Sequence, residues 1–476
     1  MRGGAEGETS ASVVAPASAA GTSASASNAS ADAAEALRGP AGTPEDPAPS
    51  HRMRALLEEL YPLPRSITGD GLRATLRVLR REVPGLTLHE VPSGTAAFDW
   101  TVPPEWNVRG ARLVAPDGRV VADLTRHNLM LVNYSEPFRG RLPLAELRPR
   151  LHSLPDRPSA IPYRTSYYRR DWGFCLPHAE LAALQGGTYE VEVDTTLAPG
   201  ALTYAELVVP GRSRDEVLLS AHACHPSLAN DNLSAVVVLA ELARWLAGEG
   251  RRLTYRVLFA PGTIGTLVFL SRTPRARERV RHGLVLAGLG DDGPLAYKPT
   301  FRGDAAIDRA ADLVLAELGP HVRLPFAPTG YDERQYASPG IRLPVGRLGR
   351  TPPGTYPEYH TSLDDLAFVK DASLAQALAA LKRIVTVLEE DERLLSRAPY
   401  GEPQLGKRGL YEDTDTREQR EALLWTLTMA DGHSTFLDVA ERSHLPTREL
   451  TEAKRRLERA GLVDRVGDDD DADQRH

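Results

Sequence analysis

The chain has 476 residues, 42% hydrophobic and 25% charged, a length and balance that suit several folded units rather than one core. Its formal charge of −7 includes no basic block, which excludes a general polyanion binder and leaves nucleic acid an unexpected partner. No apolar run approaches the roughly 18–20 residues needed to span a bilayer, and two cysteines, Cys175 and Cys224, exclude a disulfide framework, so no membrane partner and a cytoplasmic location are expected.

Residues 1–50 are rich in Ala, Ser, Gly and Thr, lack the apolar stretch of an export signal, and are too poor in large side chains to offset the entropy of ordering; a disordered tail is expected. Helical spacing of apolar residues predicts helices over 52–60 and 72–81, the second ended by Pro84. From 86 to 200 short apolar runs broken by Pro, Gly and Asp predict a β-rich inserted subdomain. Strand patterns at 206–209, 217–220, 255–259 and 284–286 then alternate with helical ones at 233–247, 305–318 and 374–388. The implied fold is α/β, a mostly parallel mixed sheet with helices on both faces, assembled from 51–85 and 201–395. Helical patterns at 421–429, 435–443 and 448–460, followed by Gly461 to Val466, predict a winged helix over 415–467. Its third helix carries Lys454, Arg455, Arg456 and Arg459 but also Glu449, Glu452 and Glu458, which favours a protein contact or dimerisation over DNA. The acidic stretch 468–476 is expected to be a solvated tail.

In such a sheet the residues that follow the strands line the ligand site. Directly after the strand pattern ending at Ser220 stand His222 and His225, and Asp231 opens the next helix. Imidazole and carboxylate on adjacent strand-end loops suit zinc, although a helix N-cap also explains Asp231 taken alone. His360 lies on a later loop, Glu358-Tyr359-His360-Thr361-Ser362, where local capping gives no reason for a histidine. Asp291 follows another strand in Gly290-Asp291-Asp292-Gly293, a segment that a turn explains equally well. The run Tyr331-Asp332-Glu333-Arg334-Gln335-Tyr336 packs polar side chains between two tyrosines and reads as part of a site.

The order His222, Asp231, then a late His-Thr segment at His360 resembles the M28-type zinc aminopeptidases. More closely, Arg65-Ser66-Ile67-Thr68-Gly69-Asp70-Gly71, Cys224-His225-Pro226-Ser227, Asp332 to Tyr336 and Tyr359-His360-Thr361-Ser362 resemble a bacterial aminopeptidase-like family, over about residues 52 to 395. The resemblance implies a zinc-exopeptidase or phosphorylase-like fold and one or two zinc ions. His222 would hold one ion, Asp231 would bridge, His360 would hold the other, and Asp291 would be a further ligand. A glutamate would move the proton of the attacking water.

One departure bears on activity. Where that family reads Pro-Glu-Thr-Ile-Gly, this chain reads Pro261-Gly262-Thr263-Ile264-Gly265, so a carboxylate is missing, and Gly262→Glu is the direct test of the loss. Glu333, Asp332, Glu358 or His225 would have to stand in as base, with Arg334, Tyr331 and Tyr336 contacting substrate. Three functions follow: a hydrolase of a small amide or amino-acyl compound, in polysaccharide or small-molecule biosynthesis; a scaffold that binds such a ligand without cleaving it; and an enzyme running a non-hydrolytic amide or acyl reaction, as glutaminyl cyclases do. Self-association is compatible with all three.

Overall fold

A computed structural model describes residues 48–248, 250–412 and 416–466. The two expected tails lie outside the described residues, except that the first helix, α1 (Pro49–Leu60), already includes positions 49 and 50. It is followed by α2 (Asp70–Glu82).

The main sheet has eight strands: β1 (Thr87–Pro92), β2 (Ala201–Val209), β3 (Glu216–His222), β4 (Thr254–Ala260), β5 (Val280–Leu286), β6 (Leu295–Lys298), β7 (His321–Arg323) and β8 (Val345–Gly349), in the spatial order β1-β2-β4-β3-β5-β8-β6-β7. The central block β4-β3-β5-β8 is parallel, while β1, β2 and the β8–β6 pair run antiparallel. β1 pairs with β2, so the inserted subdomain begins after residue 92 rather than at 86.

Side chains alternate across the sheet and find an apolar layer on each side. Val217, Leu219 and Ala221 of β3 enter one core with α1, α2, α3 (Ala235–Ala247), α5 (Ala306–Leu318) and α6 (Asp371–Glu390), whereas Leu218 enters a second core with α4 (Ile264–Arg272) and the insertion. Burial on both faces is why these strands read as continuous apolar runs. In α3 ten side chains are buried, because the helix is covered by the sheet on one side and by α1 and α6 on the other.

The insertion is built on a four-stranded antiparallel sheet, Val120–Asp123, Glu105–Val114, Thr188–Ala198 and Phe138–Pro143. At the C-terminus, α7 (Arg417–Thr428), α8 (Phe436–Ser443) and α9 (Thr447–Arg459) pack with a small sheet in which Arg393–Ser396 lies between Asp431–Thr435 and Val463–Arg465. That central strand starts at 393, so the C-terminal unit takes in residues expected to close the main domain. Its core is continuous with that of the main domain through Leu394, Leu423, Leu437 and Leu457. Among the described residues no helix is long and apolar enough to cross a membrane.

Candidate metal centre

The carboxyl ends of the parallel strands converge at His222, the last residue of β3. The segment Ala229–Ser234 turns back over it before α3 starts, and Asp231 and Asn232 leave helical geometry there. That departure aims the Asp231 carboxylate at two imidazoles: Oδ1 lies 3.1 Å from His222 Nε2 and Oδ2 lies 3.0 Å from His360 Nε2. Burial pushes the Asp231 carboxyl up, but the facing imidazoles of His225, His222 and His360 outweigh it and hold the pKa well below the usual carboxylate range.

Each of these side chains is fixed from behind. Gly288 N–H donates to Asn232 Oδ1 at 3.0 Å, which sets the amide so that Nδ2 donates to His222 Nδ1 at 3.1 Å. His222 Nε2 is then the nitrogen that donates to Asp231, and a cation bound by this pair would take the place of the shared proton. Asp364 accepts from Asn230 N–H at 2.5 Å and Asp231 N–H at 2.9 Å, holding the loop by its backbone. Asn230 accepts from Gly290 N–H and donates to Asp291. His360 is pinned by the insertion: Tyr163 N–H donates to its carbonyl at 2.8 Å, and Ile161 and Ser362 exchange two further bonds. The Tyr163 ring packs edge-on against both His225 and His360.

His225 is buried among His222, His360, Tyr163 and Tyr331, and burial pushes its imidazole well below the ordinary histidine range, so it is neutral. Arg65 is fully buried behind it and donates to its carbonyl at 2.9 Å. His222, His225 and Asp231 offer donor atoms all within 4.8 Å of one another. His360 Nε2 is buried beside Asp231 without an aligned hydrogen bond. This donor set fits zinc, which takes imidazole nitrogen and carboxylate oxygen.

Of the expected carboxylate partners, Asp291 and Glu333 are engaged elsewhere. Asp291 accepts from Asn230, Gly293 N–H and Thr351, bonds that tie it to the neighbouring loops. Glu333 is buried against Lys298 at 3.0 Å and Arg347 at 3.5 Å and accepts from Tyr331 N–H, which ties it up as a base. Asp332 accepts from Thr263 N–H at 2.8 Å at the start of α4, and burial pushes its carboxyl up to about 6. Glu358 gives its backbone carbonyl to Thr361, with its side chain half-buried. Of the expected substrate contacts, Tyr336 is a correction: its ring is fully buried and its hydroxyl donates to Ser220, placing it in the core beneath the site. Arg334 is exposed.

Tyr331 faces the cluster, its ring 4.1 Å from that of His222. A Cβ built on Gly262 would overlap the Tyr331 hydroxyl and two of its ring carbons. The phenol therefore occupies the space a side chain at 262 would need, and Gly262→Glu requires the Tyr331 ring to move. Cys224 Sγ accepts from Gly262 N–H at 3.2 Å, and burial pushes its thiol up to about 12, leaving it neutral. The residue that orients the His222 ring is Asn232, which the sequence reading did not single out. Tyr163 carried no sequence signal.

Residues 54–391 match the family profile described as a domain of unknown function, DUF4910, and residues 392–465 match a winged helix-turn-helix. A Clostridium acetobutylicum protein is 41% identical over 86% of this chain and 95% of its own length; it is provisionally named a polysaccharide biosynthesis protein with aminopeptidase-like domain. A crystal structure from the same organism, provisionally described as a peptidase, superposes with a TM-score of 0.84 at 40% identity, covering 88% of this chain and 96% of that one. A zinc aminopeptidase from Bacillus subtilis shares the fold, with a TM-score of 0.52 at 14% identity over 72% of this chain and 96% of its own.

Proposed function

This chain belongs to the DUF4910 family of aminopeptidase-like proteins with a C-terminal winged helix, and from that membership we propose a metal-dependent hydrolase acting on a small amide or amino-acyl substrate. The observation that carries the proposal is the Asp231 carboxylate, which presents one oxygen to His222 and the other to His360. The name of the Clostridium acetobutylicum relative supports a substrate from polysaccharide biosynthesis.

His222, Asp231 and His360 would hold the cation. Zinc in such a site polarises a substrate carbonyl and lowers the pKa of water towards neutrality. Glu333 is paired with Lys298 and Arg347, and we assign the proton acceptor to His225, whose ring is buried against both ligand imidazoles. It takes the proton of the attacking water and passes it to the leaving amine. Tyr163 and Arg65 keep its ring and backbone in place.

A second reading, binding without cleavage, is favoured by one observation: Tyr331 fills the space that a side chain at position 262 would need. The two separate on initial rates with amino-acyl arylamides, measured on protein stripped by chelator and then reloaded with zinc. The hydrolase reading requires turnover that zinc restores and Asp231→Ala abolishes. Zinc binding with no turnover on any arylamide favours the binding scaffold.

A further inference from the structure

A buried cluster accepts only as much positive charge as its surroundings can balance, because an uncompensated charge in a low-dielectric site is very costly. Among the described residues, the one carboxylate in the donor group is Asp231; the other members are imidazoles, which carry no negative charge. Of the nearby acids, Glu333 is paired with Lys298 and Arg347, while Asp364 and Asp291 are turned onto neutral donors of their own loops and Asp332 accepts from Thr263 N–H, so none of them joins the donor group. Two divalent ions would leave a large positive excess over one carboxylate, whereas one ion leaves a small one.

The wall nearest His222 decides whether a second carboxylate could enter. That wall is the Tyr331 ring, which lies over Gly262 so closely that a side chain there would collide with it. The ring is held from its own loop: Glu333 accepts from Tyr331 N–H at 3.0 Å, Lys298 donates to the Thr329 carbonyl, and Asp332 is bound to Thr263 N–H. Gly262 is held in turn by its bond to Cys224. The two residues are thus complementary, an absent side chain on one loop and an aromatic filling its place from another.

We propose that this cluster takes one divalent cation, not two, and that the interlocked Gly262–Tyr331 pair enforces the limit by replacing a carboxylate with a neutral phenol. The inference rests on the metal-centre reading of the site and adds the stoichiometry and its cause. The test is zinc content per folded chain, by elemental analysis and native mass spectrometry, after loading with zinc and removal of excess. Wild-type protein should carry about one zinc, held by imidazole and carboxylate. Tyr331→Phe should also carry about one, since two ring carbons still fill the space once the hydroxyl is removed. The double variant Gly262→Glu/Tyr331→Gly should gain a second ion. Two ions in the wild type overturn this inference and leave the metal centre standing, whereas no ion overturns both. A folded double variant that stays at one ion overturns the role given to the pair. If the double variant does not fold, the wild-type and Tyr331→Phe values still decide the stoichiometry.

Discussion

His360 Nε2 stands 3.0 Å from Asp231 Oδ2, and the pairing depends on a third segment, because the insertion holds the His360 loop through Tyr163 N–H and the Ile161–Ser362 exchange. The inserted subdomain is thereby part of the site, supplying the contact that keeps the late histidine over the aminopeptidase-like sheet.

His225 is assigned the proton transfer, so its removal should affect rate more than metal. His225→Gln is expected to lower kcat by about 10²–10⁴-fold, the usual contribution of a positioned acid–base group. Zinc content should stay at the wild-type level. Loss of the metal together with the activity would instead make His225 a ligand.

Asp364 acts at one remove, by gripping the amides of Asn230 and Asp231. Asp364→Ala should weaken zinc affinity by about 10–100-fold, as loss of a supporting partner does at metal sites. Competition against a chelating dye measures it, with circular dichroism to show that the fold is retained. Unchanged affinity would mean that the loop holds its shape without this carboxylate.

Asp332 gives a pH dependence with a definite sign. Burial raises its folded pKa to about 6, above the ordinary value near 3.9, so between about pH 4 and 6 the folded state binds the proton more tightly than the unfolded state. Its contribution to stability therefore falls as pH rises through that window. Asp332→Asn keeps an acceptor for Thr263 N–H and removes the titration. Tm plotted against pH should decline less steeply from 4 to 6 in the variant; parallel curves would contradict the assignment.

In the winged helix the third helix faces inward. Lys454 is fully buried, donating to the Glu390 carbonyl at 2.9 Å and pairing with Glu392 at 3.0 Å, and Arg455 pairs with Glu390 at 2.9 Å. These two cations are spent on Glu390 and Glu392, so a DNA shift at moderate salt is not expected. Lys454→Ala removes one of the cations facing Glu390 and Glu392, which keep Arg455 and Arg465, and should cost about 1.5–3 kcal/mol in a denaturant titration. A loss below 1 kcal/mol would show that the clamp contributes little.

Much of this was legible in the sequence. The continuous apolar strands and periodic helices gave the α/β alternation because burial on both faces leaves few polar interruptions. His222, Asp231 and His360 stood out as candidates at strand ends and on a loop, and the structure brings them together, with Asp231 between the two imidazoles. Geometry from distant segments was not legible. Tyr163 lies in an irregular loop with no periodicity, and its contact with His360 is set by tertiary packing. Asp291 and Glu333 looked like ligand and base because a sequence shows charge but not the partners that neutralise it. Tyr336 sits three residues after Glu333, and only the short helix Glu333–Tyr336 turns its ring into the core.

The central claim is a cation held by His222, Asp231 and His360. Zinc-edge anomalous diffraction from crystals of the zinc-loaded protein tests it most directly. The account predicts a peak within roughly 2.0–2.2 Å of ligand atoms from these side chains, lost in Asp231→Ala. No peak there, or one held by other residues, would contradict it.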